Sequence, residues 1–368
     1  MTFPIHTIEL PDGSPPQNSD RLGMLMTTVA VPAAGAAVVT LGTITPGIGF
    51  DILPAIAPTG GTLTAGVSPA DPAVVRATSL KAVGTPTVVA PGSGVAINDT
   101  FNLAGGALAV AGPAGNTTGT AGVPAKVTVS HIQVVSAVVN AVGASGTAGA
   151  TILTGTTGTG TKWTGTATIG AGGTLTAGAI IPITLAGDYT VTPTLAGDAV
   201  TNTDASLTGA TVTLLMGAKT LSLTTAGGYA AAPPLAGTPG VNVVGTGTGV
   251  TVASTYGLGS AVIDHSGNYS VAPSFTVTPN DSVGTTASIA TATLGSAGTP
   301  VTRSVPTNIG ANGFVMASAQ SGLDATCSVV SQVGTSPNNA APYVSISVQP
   351  RLAANTLGAG QISVLAIA

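Results

Sequence analysis

The chain has 368 residues, with 8 Lys plus Arg, 12 Asp plus Glu and a formal net charge of −4, so that 5% of positions are charged while hydrophobic residues reach 44%. That balance excludes a disordered polyelectrolyte, which is highly charged and poorly hydrophobic, and a nucleic-acid-binding surface, which needs a basic footprint. With 52 Gly, 26 Pro, 3% aromatics, one Trp and one Cys, the composition also argues against a cleft enzyme and against a thick core, because burying Ala or Thr removes little apolar area from water.

Residues 1–21 are polar and Pro-rich and carry Glu9, Asp12 and Asp20 with no Lys or Arg before Arg21. They read as an N-terminal arm rather than a signal peptide, which would need a basic n-region and an apolar h-region, so export by a cleaved signal is not expected. The uncharged run 22–50 is interrupted by Pro32, Gly35, Gly42, Pro46, Gly47 and Gly49. This is poor material for a spanning helix, and no membrane insertion is expected. Within 22–91, the strings Thr28-Val-Ala-Val31, Ala37-Val-Val-Thr-Leu41 and Thr87-Val-Val-Ala90 predict an N-terminal β module.

A second, Gly/Thr-rich β module is expected over 92–180, with strands at Lys126-Val-Thr-Val-Ser130 and over the β-branched run 134–141. The stretch 143–175 has the composition of a linker, but Trp163 inside it favours packed strands.

Over 181–303 a repeat emerges. Tyr189, Tyr229 and Tyr269 are spaced by 40 residues, each inside a Gly-x-Tyr-x-x-x-Pro string. The anchors are Gly187, Tyr189 and Pro193, then Gly227, Tyr229 and Pro233, then Gly267, Tyr269 and Pro273. Leu195, Leu235 and Phe275 follow each Pro by two residues, and Gly217 and Gly257 recur in phase. Gly supplies a turn conformation that costs other residues more, and Pro fixes φ between strands. Each Tyr is expected to lie over the turn with its hydroxyl at the wet edge. Segment 304–368 reads as a C-terminal β module containing an alternating pair of strands, Tyr343–Val348 and Gln361–Ile367.

Chemistry-bearing residues are sparse. His6, His131 and His265 are remote from one another and from Cys327 in sequence, so no metal-ligand spacing appears and no intrachain disulfide is available. Asp188, Asp198 and Asp204 share one repeat and could in principle hold Ca²⁺. The later copies place Gly228 and Asn268 where the first has Asp188, an exchange typical of turns. Gly158-Thr-Gly-Thr-Lys162-Trp163 is a look-alike of a phosphate loop without its Ser/Thr, and one Glu does not favour glycoside cleavage. The expectation is no catalytic, metal or cofactor-binding residue and no cofactor.

The string Gly-Ser-Gly-Val-Ala-Ile-Asn-Asp-Thr-Phe-Asn-Leu-Ala-Gly-Gly at 92–106, followed by the Gly-x-Tyr-x-x-x-Pro units, resembles a β-rich repeat of bacteriophage virion proteins: tail fibres, head fibres and capsid decorations. Val95 stands where that repeat usually has Tyr, and Asn98 where it has Gly; the resemblance covers about residues 92–300. It implies a virion structural protein that is not an enzyme, most often a homotrimer, docked to other virion proteins through its N-terminal segment and available to a host surface glycan or receptor. A fibre or spike is the leading reading, with capsid decoration and a bacterial surface adhesin as alternatives. The expected fold is all-β: an elongated, multi-module β-sandwich or β-repeat protein, trimeric, with three chains sharing a thin core.

Overall fold

The computed structural model describes residues 24–31, 36–64, 71–109, 122–235, 237–279 and 284–295 and the strands within 301–367. The N-terminal arm, His6 and Cys327 lie outside the described residues. The fold is all-β: the described residues form strands in antiparallel sheets and no helix.

β1 is Met24–Val31. An outward limb follows: β2 (Val38–Thr40), β3 (Ile44–Thr45), β4 (Ala55–Thr59), β5 (Thr62–Leu63), β6 (Val74–Ser93), β7 (Thr100–Leu103), β8 (Ala107–Leu108), β9 (Lys126–Ala144), β10 (Gly149–Gly155), β11 (Thr159–Thr161) and β12 (Thr164–Ile169). A return limb comes back: β13 (Ile183–Leu185), β14 (Asp188–Val191), β15 (Ala196–Asn202), β16 (Thr208–Thr225), β17 (Tyr229–Ala231), β18 (Thr238–Val244), β19 (Thr248–His265), β20 (Tyr269–Val271), β21 (Ser274–Val277), β22 (Ala287–Ile289) and β23 (Thr293–Leu294).

The pairing order of the two limbs is palindromic. β12 pairs with β13, β11 with β14, β10 with β15, β9 with β16, β8 with β17 and β7 with β18. The series continues with β6 on β19, β5 on β20, β4 on β21, β3 on β22 and β2 on β23. Residues 38–294 are therefore one nested hairpin that folds back between Ile169 and Ile183. The 143–175 stretch is part of it, as paired strands.

The two long ladders, β9 with β16 and β6 with β19, carry about half of the core. Along β9 the buried residues run Val127, Val129, Ile132, Val134, Ala137 and Val139; along β6 they run Val75, Ala77, Leu80 and Ala82. Thr/Val alternation suits a pleated surface with one buried face. The phase slips by one residue where the ladders bulge. The register shifts at Thr211/Val212, Ala218/Thr220, Thr220/Leu221 and Leu223/Thr225 recur 40 residues later at Thr251/Val252, Leu258/Ser260, Ser260/Ala261 and Ile263/His265. A bulge adds one residue to one strand and bends it.

Close approach explains the glycines in phase at 217 and 257. A Cβ on Gly217 would lie 2.8 Å from Pro91 Cβ, and one on Gly257 would lie 2.8 Å from Pro46 Cβ. At both points the return limb presses on a Pro-Gly corner of the outward limb, Pro91-Gly92 or Pro46-Gly47.

The remaining strands, β24 (Val301–Pro306), β25 (Phe314–Ser321), β26 (Ser328–Thr335), β27 (Tyr343–Gln349) and β28 (Gly360–Ile367), correct one expectation. β27 and β28 are not a pair: β27 lies between β24 and β26, while β28 lies between β1 and β25. The first and last of the described strands thus share a sheet. Strand pairing also crosses the segment bounds drawn from composition. β6 of 22–91 and β9 of 92–180 each find their long partner in 181–303, and β1 finds its partner in 304–368.

Candidate functional site

The nine repeat anchors build one geometry three times. Tyr189, Tyr229 and Tyr269 are buried, and each hydroxyl accepts a hydrogen bond from a backbone N–H on the outward limb: Trp163 at 2.8 Å, Ala125 at 2.6 Å and Ala73 at 2.9 Å. The expectation of a hydroxyl at the wet edge is thereby corrected. The ring carries the hydroxyl inward because the backbone donor would otherwise be buried without a partner. Burial pushes all three phenol groups above their ordinary ionisation range.

Gly187, Gly227 and Gly267 take φ of 77°, 71° and 65°. A Cβ there would lie 2.6–2.8 Å from the ring edge of the Tyr two residues on. The left-handed turn and the flat approach of the ring both require glycine. Immediately before these glycines, the carbonyls of Ala186, Ala226 and Ser266 accept from Val134, Ala82 and Val38 at 2.8, 2.8 and 3.0 Å. Pro193, Pro233 and Pro273 are buried, each against a left-handed glycine of the outward limb, Gly158, Gly106 or Gly61. The apolar residue after the Pro is graded: Phe275 is buried, Leu235 half-buried and Leu195 exposed.

Two contributors escaped the sequence reading. Tyr256 is fully buried and meets Tyr229 edge to face; its counterpart 40 residues earlier is Met216, so no aromatic repeat marks it. Asn202 and Asn242 do lie at the repeat spacing, and each donates its side-chain amide to a carbonyl five residues on, Leu207 at 3.0 Å and Gly247 at 2.7 Å.

The acidic residues are dispersed. Asp188 Oδ1 meets His131 Nδ1 at 2.7 Å, while Asp198 is buried and accepts from Thr157 Oγ1 at 2.5 Å. Asp204 accepts from Ser206 Oγ at 2.7 Å and from Thr147 N–H at 2.6 Å, and these bonds, the Ser206 hydroxyl first, lower its carboxyl below the usual range. No group of three or more His, Cys, Asp or Glu that could hold a metal ion occurs among the described residues. Lys162 donates to the carbonyls of Thr157 and Gly158 and sits 5.8 Å from the Tyr189 ring centre, so its ammonium closes its own loop.

At 92–106, Val95 is buried and Asn98 takes a φ of 70°. That is the left-handed region, which Asn tolerates and Gly adopts freely. Asp99 Oδ2 then accepts from the N–H groups of Ala96 at 3.0 Å and Gly247 at 3.2 Å, tying the two limbs.

Two ion pairs concentrate charge around the third tyrosine. Arg76 Nε donates to Asp264 Oδ2 at 2.9 Å, and His265 Nε2 meets Asp71 Oδ1 at 2.6 Å. At the opposite extreme of the pairing order, the fold-back is uncharged from Trp163 to Gly187. A cavity of about 430 Å³ lies there, lined by Ala150, Thr168, Leu175, Ile180 and Ile181 among others, and Ile180 is 74% exposed. No known protein family, curated protein or solved structure matches the chain.

Proposed function

We propose that this chain is a bacteriophage virion structural protein, a fibre or spike that works mechanically and assembles as a symmetric homotrimer. The observation that carries the reading is the palindromic pairing. It brings β1 and β28, the first and last described strands, into one sheet and leaves the uncharged fold-back at the opposite end of the pairing order. One extreme is suited to holding a particle through other virion proteins, the opposite one to meeting a host glycan or receptor. The residues at 92–106 support the same family reading, since Asn98 adopts the backbone that the motif's glycine would.

Self-association is supported by exposed aliphatics at repeated places. Val191 and Val271 occupy the same position in two tyrosine units and are 55% and 57% exposed, and Val241 and Val244 stand out at 54% and 59%. Exposed apolar groups on a chain with few charges suit burial against further copies.

Two measurements test this. Light scattering on the purified full chain is expected to return three copies per particle, and a monomer at micromolar concentration would refute the trimer. Gold-labelled antibody is expected to mark projections on phage particles. Labelling of the capsid face instead would move the protein to decoration, and unlabelled particles would refute the virion role.

A further inference from the structure

The three tyrosine units serve as internal controls for one another: the outward strand passing the third has an aspartate before a proline, where the middle one has Val123 and the first Thr161. In the middle unit, Val123-Pro124-Ala125 passes the tyrosine with the Val123 carbonyl accepting from Gly228 N–H at 2.9 Å and the Ala125 N–H donating to Tyr229 Oη. In the third unit the same places are Asp71-Pro72-Ala73: the Asp71 carbonyl accepts from Asn268 N–H at 2.9 Å, and the Ala73 N–H donates to Tyr269 Oη. The packing role is therefore met by a valine. Asp71 adds a carboxylate, and His265, standing where the middle unit has Thr225, adds an imidazole 2.6 Å from it.

Asp71–Pro72 is the chain's only Asp-Pro bond, and one of its three histidines sits on it. Such a bond is chemically weak because the side-chain carboxyl can reach its own carbonyl carbon in a five-membered ring, and the tertiary nitrogen of proline leaves readily once protonated. Here the carbonyl oxygen is held by the Asn268 N–H, a donor aimed where charge develops in a tetrahedral intermediate. The imidazole supplies a proton donor at the carboxyl, and Tyr269 together with Gly267, whose Cβ would lie 2.9 Å from the Pro72 carbonyl carbon, clamps the leaving side. The Asp71 and His265 side chains are 19% and 12% exposed, so water has access.

We propose that the folded protein cleaves itself at Asp71–Pro72. His265 passes a proton to the Asp71 carboxyl. One carboxyl oxygen then bonds to the Asp71 carbonyl carbon, the carbon–nitrogen bond to Pro72 breaks, and the proton goes to the proline nitrogen. Water opens the resulting cyclic anhydride, leaving Asp71 as a new C-terminus and Pro72 as a new N-terminus. The step is a single turnover on the chain itself and does not rest on the virion reading. The first piece keeps β2, β3, β4 and β5 paired with β23, β22, β21 and β20, so the halves remain associated after the cut.

The test is to incubate the purified full chain in neutral buffer and follow it by denaturing gel, intact mass and N-terminal sequencing. A new N-terminus at Pro72 is expected, with both pieces co-eluting on a native column and the Val123–Pro124 bond intact. Asp71→Val, which copies the middle unit, should abolish the cut, and His265→Gln should slow it about 10²-fold, the low end for a positioned proton donor. The wild-type chain unfolded in urea at the same pH serves as a reference independent of how the variants fold. Cleavage no faster in the native protein than in urea, or an unchanged cut in Asp71→Val, would overturn the proposal.

Discussion

The rings of Tyr229 and Tyr256 meet edge to face, with centres 5.5 Å apart and planes at 84°. One belongs to the repeating unit and the other fills the long ladder beside it, so the middle tyrosine unit joins its turn to its core through an aromatic contact, whereas 40 residues earlier Met216 stands in place of Tyr256. Such a contact adds about 0.5–1.5 kcal/mol beyond area burial. Tyr229→Ala is expected to destabilise by about 3–5 kcal/mol, as for other large-to-small core changes. Tyr229→Phe keeps the ring and leaves the Ala125 N–H without its acceptor, at a cost of about 1–3 kcal/mol. In urea melts Tyr229→Ala should lose the most and Tyr229→Phe less; a Tyr229→Phe midpoint equal to wild type would mean that the hydroxyl contributes nothing, and equal midpoints for the two variants that the ring contributes nothing beyond it.

Two glycines separate backbone strain from crowding. Gly209 and Gly227 have nearly the same φ, 69° and 71°, but a Cβ on Gly209 meets nothing within 4 Å while one on Gly227 lies 2.5 Å from Ala125 N and 2.8 Å from the Tyr229 ring. Gly209→Ala should cost about 1–2 kcal/mol for the left-handed backbone alone. Gly227→Ala should cost that plus about 1–3 kcal/mol of overpacking. A Gly227→Ala protein as stable as Gly209→Ala would show that the ring yields freely.

Alkaline pH should unfold this protein through its tyrosines. Burial raises the Tyr189, Tyr229, Tyr256 and Tyr269 phenols, Tyr256 furthest, with Tyr229 beside it adding to the effect. The neutral form is the one the fold accommodates. Stability is therefore fully present below the unfolded value of about 10 and is lost as pH climbs toward the folded values. Tyrosinate absorbance and circular dichroism should change together, in one transition above pH about 10. Absorbance rising smoothly while the fold persists would contradict this.

The 40-residue register was legible because the return limb repeats side chains: Gly, Tyr and Pro each answer a local demand for a turn, a filled gap or a fixed φ. The outward limb was not legible as a repeat. What it contributes to each unit is a backbone N–H, and Trp163, Ala125 and Ala73 offer the same donor at unequal spacing, the first under a side chain unlike the other two. Asn202 and Asn242 were within reach of the same spacing argument. The pairing of β1 with β28 was not, since nothing in a strand's own residues names a partner at the other end of the chain.

The palindromic order also dictates a timetable. Joining β2 to β23 directly from an open chain would close the whole span from Val38 to Leu294 at once, whereas each rung formed nearer the fold-back leaves only a short gap for the next. The hairpin is thus built to zip from Ile169 and Ile183 toward the ends, a topology rich in distant pairings and slow to complete. On the ribosome, β1 and β2 stay without their partners until β28 and β23 emerge, so these early strands are among the last to be paired.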